Sequence, residues 1–199
     1  MLEQVQYERF ISLMPKDISI SFKEAVKEKA RFIVLKKGET LFDEYSKNNK
    51  AYYILKGSCV RYIITPSGDE KAIFFHTEDF LPIIGNVYVR SQNSSVSYLI
   101  KANENTEVLE IDLSIQEFIK TDTVYIQFAM QNALSFFSIQ NQIQNHLIGL
   151  SKEDFSRWLM KEHNFIFQRF HSKDIASFMG VTPTWLSLLK RKLAKKQSP

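Results

Sequence analysis

The stretch SKDIASFMGVTPTWLSLLKRKL, Ser172 to Leu193, carries the densest local signals in the chain. Ser172 is a helix-capping residue type, because its side-chain oxygen accepts a hydrogen bond from a first-turn N–H. Ile175, Phe178 and Met179 then recur at helical spacing, and Ala176 is small where a second helix has to come close. Gly180 supplies the left-handed residue of a short turn, and Val181 fills its corner. Thr182 caps a second helix, with Pro183 at its first position, where a missing N–H costs nothing. Leu186, Leu189 and Leu193 form that helix's buried stripe. All of these choices agree on two helices crossing steeply around Ala176 and Gly180. That geometry is the helix-turn-helix, whose second helix lies in the major groove of DNA. An ordinary helical hairpin inside a core is the competing reading. Five cations and no acid between Lys190 and Lys196 favour the nucleic-acid one. The outward positions are Thr184, Trp185, Ser187, Leu188, Lys190 and Arg191. Ser172, Lys173 and Thr182, at the helix starts, complete the expected DNA contacts.

Charge supports a division of labour. The chain has 199 residues and a net charge of +4. Residues 151–199 hold 10 Lys and Arg against 4 Asp and Glu, whereas the preceding 150 residues hold 16 against 18. A basic C-terminal part facing a polyanion and a near-neutral N-terminal part with another task fit this asymmetry. Cys59 is the single cysteine, so an internal disulfide and a four-cysteine zinc or iron–sulfur site are excluded. The first residues carry acids and lack an apolar run, unlike a signal peptide, and the longest apolar stretch, FLPIIGNVYV, is interrupted by Pro82, Gly85 and Asn86. The expected location is the cytoplasm.

Working outward from the C-terminal unit, hydrophobic periodicity changes twice. Tyr7, Phe10, Ile11 and Met14, then Phe22, Ala25, Val26 and Ala30, are spaced for helices separated near Pro15. From Arg31 to about Asp112 the chain breaks into short runs rich in β-branched and aromatic residues. Lys37-Gly38, Lys56-Gly57, Pro66-Ser67-Gly68-Asp69 and Asn103-Glu104-Asn105 punctuate them. That pattern predicts an all-β sandwich or barrel, with YIITPSGDEKAIFF as a hairpin turning at Gly68. From Asp122 the helical period returns. Ile126, Ala129, Ala133, Phe136, Gln140, Ile143, Leu147 and Leu150 are spaced 3-4-3-4-3-4-3, a heptad seam that predicts helix-to-helix dimerisation. A helix lying on its own domain is the alternative. Gly149 ends or bends this helix, and Ser151 caps the next one.

At this point the chain resembles the Crp/Fnr transcription regulators along nearly its whole length. KKGETLFDE, AYYILKGSCVRYI, SGDEKAIFF and EDFLPIIG follow the family's order in the β region, with Gly38, Gly57, Gly68, Asp79 and Phe80 at its turns. KDIASFMGVTPTWLSLLKRKL is similar to the recognition unit of a short form that ends soon after its recognition helix. The resemblance implies an α+β fold in three parts. They are a cyclic-nucleotide-binding-like β-barrel (a jelly roll, residues 1–120), a dimerisation helix (121–150) and an all-α helix-turn-helix domain (151–199). It further implies a homodimeric bacterial regulator that binds double-stranded DNA, with RNA polymerase and a small-molecule effector as further partners.

The resemblance has gaps. Members that bind cyclic AMP carry a glutamate after the Gly-Asp-Phe turn and an Arg-Ser or Arg-Thr pair further on. Here Ile83 stands at the first place and Ser95 or Val96 at the second. A buried phosphate without a cation is strongly disfavoured, so cyclic AMP is not the expected ligand. Ile83, Gly85, Arg90, Ser95, Val96 and Ser97 mark where an effector pocket would lie. No haem, iron–sulfur or zinc signature is present, since His76, His146, His163 and His171 form no ligand spacing, and the cofactor is left open. Thr184 and Leu188 occupy places where family members often carry a Glu and an Arg for base contacts. The alternative function is therefore a ligand- or protein-binding module whose helix-turn-helix lacks specific DNA recognition. Nucleotide-binding, hydrolase, dithiol and zinc-protease motifs are missing, and the chain is not expected to be an enzyme.

Overall fold

The computed structural model describes residues 4–43, 50–85, 97–115 and 122–197. Two amphipathic helices open the chain, α1 (Gln4–Ser12) and α2 (Ile20–Lys29). Ser19 caps α2 through a hydrogen bond from Phe22 N–H to its hydroxyl, at 3.1 Å. Their apolar faces, Phe10, Phe22 and Val26 among them, pack with Met14 of the connecting turn against Leu55 and Leu109 of the following sheet.

Eight strands follow: β1 (Ala30–Leu35), β2 (Thr40–Asp43), β3 (Lys50–Lys56), β4 (Ser58–Ile64), β5 (Glu70–Thr77), β6 (Ile83–Gly85), β7 (Ser97–Ala102) and β8 (Thr106–Asp112). They form two four-stranded sheets, ordered β1-β8-β3-β6 and β2-β7-β4-β5, with every pairing antiparallel. Sequence neighbours β1 and β2 lie in different sheets, as do β3 and β4, which is the crossing pattern of a jelly roll. Between the sheets sit Leu35, Phe42, Tyr52, Ile54, Cys59, Ile84, Ile100, Ala102 and Val108. The β4–β5 hairpin turns through residues 65–69, closed by Thr65 N–H to Asp69 O at 3.0 Å, with Gly68 at φ +86°. Gly57 separates β3 from β4 at φ +105°, and a Cβ there would meet Thr106 at 2.6–2.7 Å, so no larger residue fits.

The C-terminal half is helical. The long helix α3 (Thr123–Gly149) begins on Asp122, whose carboxylate accepts from Tyr125 N–H at 3.0 Å and also reaches Ser19 N–H at 3.3 Å. At 27 residues α3 is about 40 Å long. Next come α4 (Lys152–Glu162), capped by Ser151, then α5 (Asn164–Arg169), α6 (Ser172–Met179) and α7 (Pro183–Gln197). One buried cluster joins these helices to the β2-β7-β4-β5 sheet. Val60, Tyr62, Ala72, Phe74 and Phe75 of the sheet meet Ile143, Phe155, Leu159, Phe170, Ile175, Met179 and Leu186. The helical unit is thus seated on the barrel. No helix among the described residues is long and apolar enough to cross a membrane.

Candidate nucleic-acid interface

The turn between α6 and α7 is closed by backbone geometry alone. Gly180 sits at φ +68°, ψ 36°, while Val181 N–H bonds Ala176 O at 2.9 Å and Gly180 N–H bonds Ser177 O at 3.1 Å. This pair of bonds is a Schellman motif, which satisfies carbonyls that the helix end would otherwise leave open. Thr182 then caps α7 by accepting from Trp185 N–H at 3.1 Å, and Pro183 is the first helical residue. Ile175, Ala176, Met179 and Leu186 are fully buried, and Leu189 nearly so. One expectation is corrected here. Ser172 is not the cap of α6: His171 precedes the helix without a side-chain capping bond, and Ser172 is its first residue.

Of the nine expected DNA-facing residues, seven are exposed and two are half-buried. Thr184, Ser187, Leu188 and Arg191 are all exposed and lie at i, i+3, i+4 and i+7, so they form one outward stripe along α7. Ser172, Lys173 and Thr182 are exposed at the helix starts. Trp185 is half-buried in the cluster shared with the barrel, which corrects its assignment as an outward residue. Lys190 is also half-buried. Its ammonium lies 5.2 Å from the Phe167 ring centre and 3.5 Å from Ser172 Oγ, and burial pushes its pKa below the ordinary lysine value. Lys192 is paired with Glu153 of α4 at 2.9 Å. Arg191 makes no ion pair among the described residues. The start of α6 also borders a cleft of about 230 Å³, whose lining includes Lys37, Lys101, Asn103, His171, Lys173 and Asp174.

The seating of this unit on the barrel is polar at one end and aromatic at the other. Arg169, the last residue of α5, donates from Nε to Glu104 at 2.7 Å and from Nη2 to Glu78 at 2.9 Å, while Asn103 Nδ2 donates to its carbonyl at 3.1 Å. Burial alone would raise the Glu78 pKa, but the bonds and charge of Arg169 outweigh it and hold the carboxyl below its usual range. Ser177 of α6 accepts the Ala72 N–H of strand β5 at 3.1 Å. Phe75 packs on Phe170 and Phe178, with ring centres 4.6 and 5.3 Å apart. The pairing of Arg169 with Glu78 and Glu104 carries no local sequence signal, because it joins residues far apart in the chain.

The seam expected on α3 is divided by the structure. Ile143 is buried and Phe136 and Leu147 are half-buried, all three packed in the shared cluster; Phe136 lies parallel to the His76 ring and tilted against Phe74. Ala129 and Gln140 are half-buried, whereas Ile126, Ala133 and Leu150 are exposed. The exposed apolar stripe is instead Ile126, Met130, Leu134, Phe137 and Ile148, with Asn141 and Gln144 completing it at 4-3-4-3-4 spacing from Met130. From Met130 onward it lies one position, about 100°, around the helix from the expected seam. The reason is that Phe136 packs on Phe74 and His76 of the barrel and Ile143 is taken into the cluster shared by sheet and helices.

Of the expected effector-pocket residues, Arg90, Ser95 and Val96 lie outside the described residues, and Ser97 opens β7. Ile83 and Gly85 are half-buried in the short strand β6, paired with Tyr53 and Ala51. Tyr53 packs edge-on against Phe10 of α1, while Phe74, opposite Arg61 across the β4–β5 pair, lies beside Phe80 and Phe136. Two buried polar groups stand beside Phe74. Arg61, 2% exposed, lies 5.3 Å from the Phe74 ring centre and 5.7 Å from that of Phe136, so it joins β4 to α3. Burial lowers its pKa to about 10, which still leaves it charged at neutral pH. His76, fully buried, has Nδ1 2.8 Å from Leu81 O, and burial together with Arg61 lowers its pKa to about 3. A neutral ring donating to the carbonyl follows. Strand parity held the signal for Arg61, which shares the inward side with Cys59 in an otherwise apolar run. Among the described residues no group of three or more His, Cys, Asp or Glu could hold a metal ion.

No protein-family model matches the chain, and no curated protein matches it in sequence. Solved structures do match in three dimensions. A cyclic nucleotide-binding domain containing protein from Listeria monocytogenes superposes with a TM-score of 0.66 at 13% identity, over 98% of this chain and 92% of that one. A transcriptional regulator attributed to the Crp/Fnr family from Eubacterium rectale gives 0.66 at 15% identity, over 90% and 85%. FixK2 from Bradyrhizobium japonicum gives 0.63 at 17%, over 84% and 85%. The fold is therefore α+β, a cyclic-nucleotide-binding-like barrel followed by a long helix and a helix-turn-helix.

Proposed function

We propose that this chain is a dimeric DNA-binding transcription regulator of the Crp/Fnr type, acting in the cytoplasm and not governed by cyclic AMP in the family's usual manner. The observation that carries the reading is the α6–α7 unit. Its inner face is fully committed to packing, its outer face is an uninterrupted exposed stripe, and its surroundings are basic. The three-part division at residues 1–120, 121–150 and 151–199 belongs to the same proposal. In the dimer, Met130, Leu134, Phe137 and Ile148 of α3 pair with the same residues of a second copy. Each would otherwise leave apolar area in water that burial stabilises by about 25 cal/mol per Å². Two recognition helices then straddle a two-fold site. Arg61, fixed between β4 and Phe136, ties the barrel to that dimer helix. An effector favouring one dimer arrangement would act through this contact.

Arg191 and Lys173 supply phosphate contacts, and affinity should fall steeply with salt. The test uses the full chain with a pool of random duplexes, measured by fluorescence anisotropy across salt concentrations, beside sedimentation equilibrium. A dimer that enriches a two-fold sequence supports the reading. An intact dimer that binds selected and competitor duplexes equally would favour a binding module without specific DNA recognition.

A further inference from the structure

The outward stripe of α7 has an unusual chemical content for a base-reading surface. Its first two turns hold Pro183, Thr184, Trp185, Leu186, Ser187, Leu188 and Leu189, with no cation, amide or carboxylate among them. Leu186 and Leu189 face inward, and Trp185 is half-buried against the shared cluster. Bidentate recognition of guanine takes Arg or Lys, that of adenine takes Asn or Gln, and cytosine is read by Asp or Glu. None of these is available in the part of the helix that enters the groove. What remains is two hydroxyls, Thr184 and Ser187, and a leucine that is 57% exposed, with the cations of the helix beginning only after it at Lys190.

Only one feature of the major-groove edge is apolar, the C5-methyl group of thymine. Resting on the regulator reading above, we propose that Leu188 reads a thymine methyl group, making each half-site specific for thymine at the base facing it. The selection works in both directions. Burying Leu188 against a methyl removes apolar surface of both partners from water. Burying it against the guanine edge, or against the cytosine amino group, would strip polar atoms of water without replacing their hydrogen bonds, which is costly. Ser187 and Thr184, one turn or less away on the same stripe, can donate or accept and so tolerate several bases. Leu188 is therefore the discriminating residue of the stripe. Arg191, one turn further on, holds the helix in place from the phosphate side.

The test starts from the duplex selected by the wild-type chain. Each thymine is replaced, one at a time, by deoxyuridine, which deletes the methyl group and nothing else. One thymine per half-site is expected to weaken binding about four-fold when replaced, the worth of one buried methyl. In Leu188→Ala that position should become indifferent to the replacement, while the phosphate-driven salt slope stays as in the wild type. Leu188→Gln should shift the preference at the same position toward adenine. Because the side chain is exposed, both variants should unfold at the wild-type temperature, and a shared loss of binding without a change in preference would count against the proposal. Deoxyuridine replacements that are all neutral, or a sensitivity that survives in Leu188→Ala, would overturn it. A pool from which no duplex is enriched would sink the regulator reading instead, and this proposal with it.

Discussion

The helix-turn-helix and the long helix α3 are both amphipathic, yet they are specified in different ways. In α6–α7 almost every decision is local: a left-handed glycine, a threonine cap, a proline at the first position, and leucines spaced to face inward. In α3 the apolar residues are too many for one face. Two stripes run along it, one led by Phe136 and Ile143, the other by Met130, Leu134 and Phe137. Which stripe meets the barrel and which meets another partner depends on contacts far away in sequence. A short unit closed by backbone chemistry can be recognised from its residues. A helix with two usable faces cannot.

The largest expected effect breaks the self-contained side of this comparison. Leu186→Ala leaves a cavity where α6, α7 and the barrel-facing cluster meet, and should cost about 2–5 kcal/mol in denaturant unfolding. If α6–α7 and the barrel form one cooperative unit, the entire transition shifts. Separate transitions for barrel and helical unit would show that the shared cluster is weaker than its packing implies.

A pH titration tests the barrel side of α3. His76 ordinarily titrates near 6.5 and is held to about 3 in the folded chain. Between those values the unfolded chain binds a proton that the folded one refuses, so stability falls as pH drops, by about 1.4 kcal/mol per pH unit. Replacing the ring by His76→Gln should flatten this slope between pH 6 and 4. An unchanged slope would assign the acid sensitivity to other groups.

The two faces of α3 are separated by adjacent phenylalanines. Phe136→Ala removes a ring packed on Phe74 and Arg61, and should lower stability by about 1.5–3 kcal/mol. Phe137 is 57% exposed, and Phe137→Ser should leave the unfolding of one chain nearly unchanged while shifting the monomer–dimer balance in sedimentation. Reversed outcomes would restore the seam read from the sequence and refute the rotated one. Arg169→Gln is a smaller perturbation, because the pair is partly solvated. About 1 kcal/mol is expected, lost again in high salt for the wild type.

Legibility follows the same division. The turn at Gly180, the Thr182 cap and the buried positions Ile175, Ala176, Met179 and Leu186 follow from spacing and residue type. The hairpin at Gly68 does too, because a positive φ leaves few other residues available. Ser172 is displaced by one position because the cap depends on where the preceding chain enters, and that is fixed by Phe170 packing on Phe75. Trp185 differs for a tertiary reason: it packs against the cluster that the helices share with the sheet, so a flank that would face solvent in an isolated pair is half-covered. Strand parity turns Arg61 inward, but the Phe74 and Phe136 rings that cover it come from β5 and α3, and no local pattern shows them meeting it.

The smallest effect asks how self-contained the turn is. A Cβ on Gly180 would meet no heavy atom within 4 Å, so sterics with the surroundings do not demand glycine there. Its φ of +68° does, since an L-residue in that region brings its Cβ against its own backbone, at about 1–2 kcal/mol. Gly180→Ala should therefore cost about 1 kcal/mol, and Gly180→Asn less, because asparagine tolerates the left-handed region. That ranking holds only if backbone conformation, and not packing, fixes the angle between α6 and α7. Equal costs for the two variants would mean that the barrel imposes the angle from outside, and the contrast with α3 would then be one of degree.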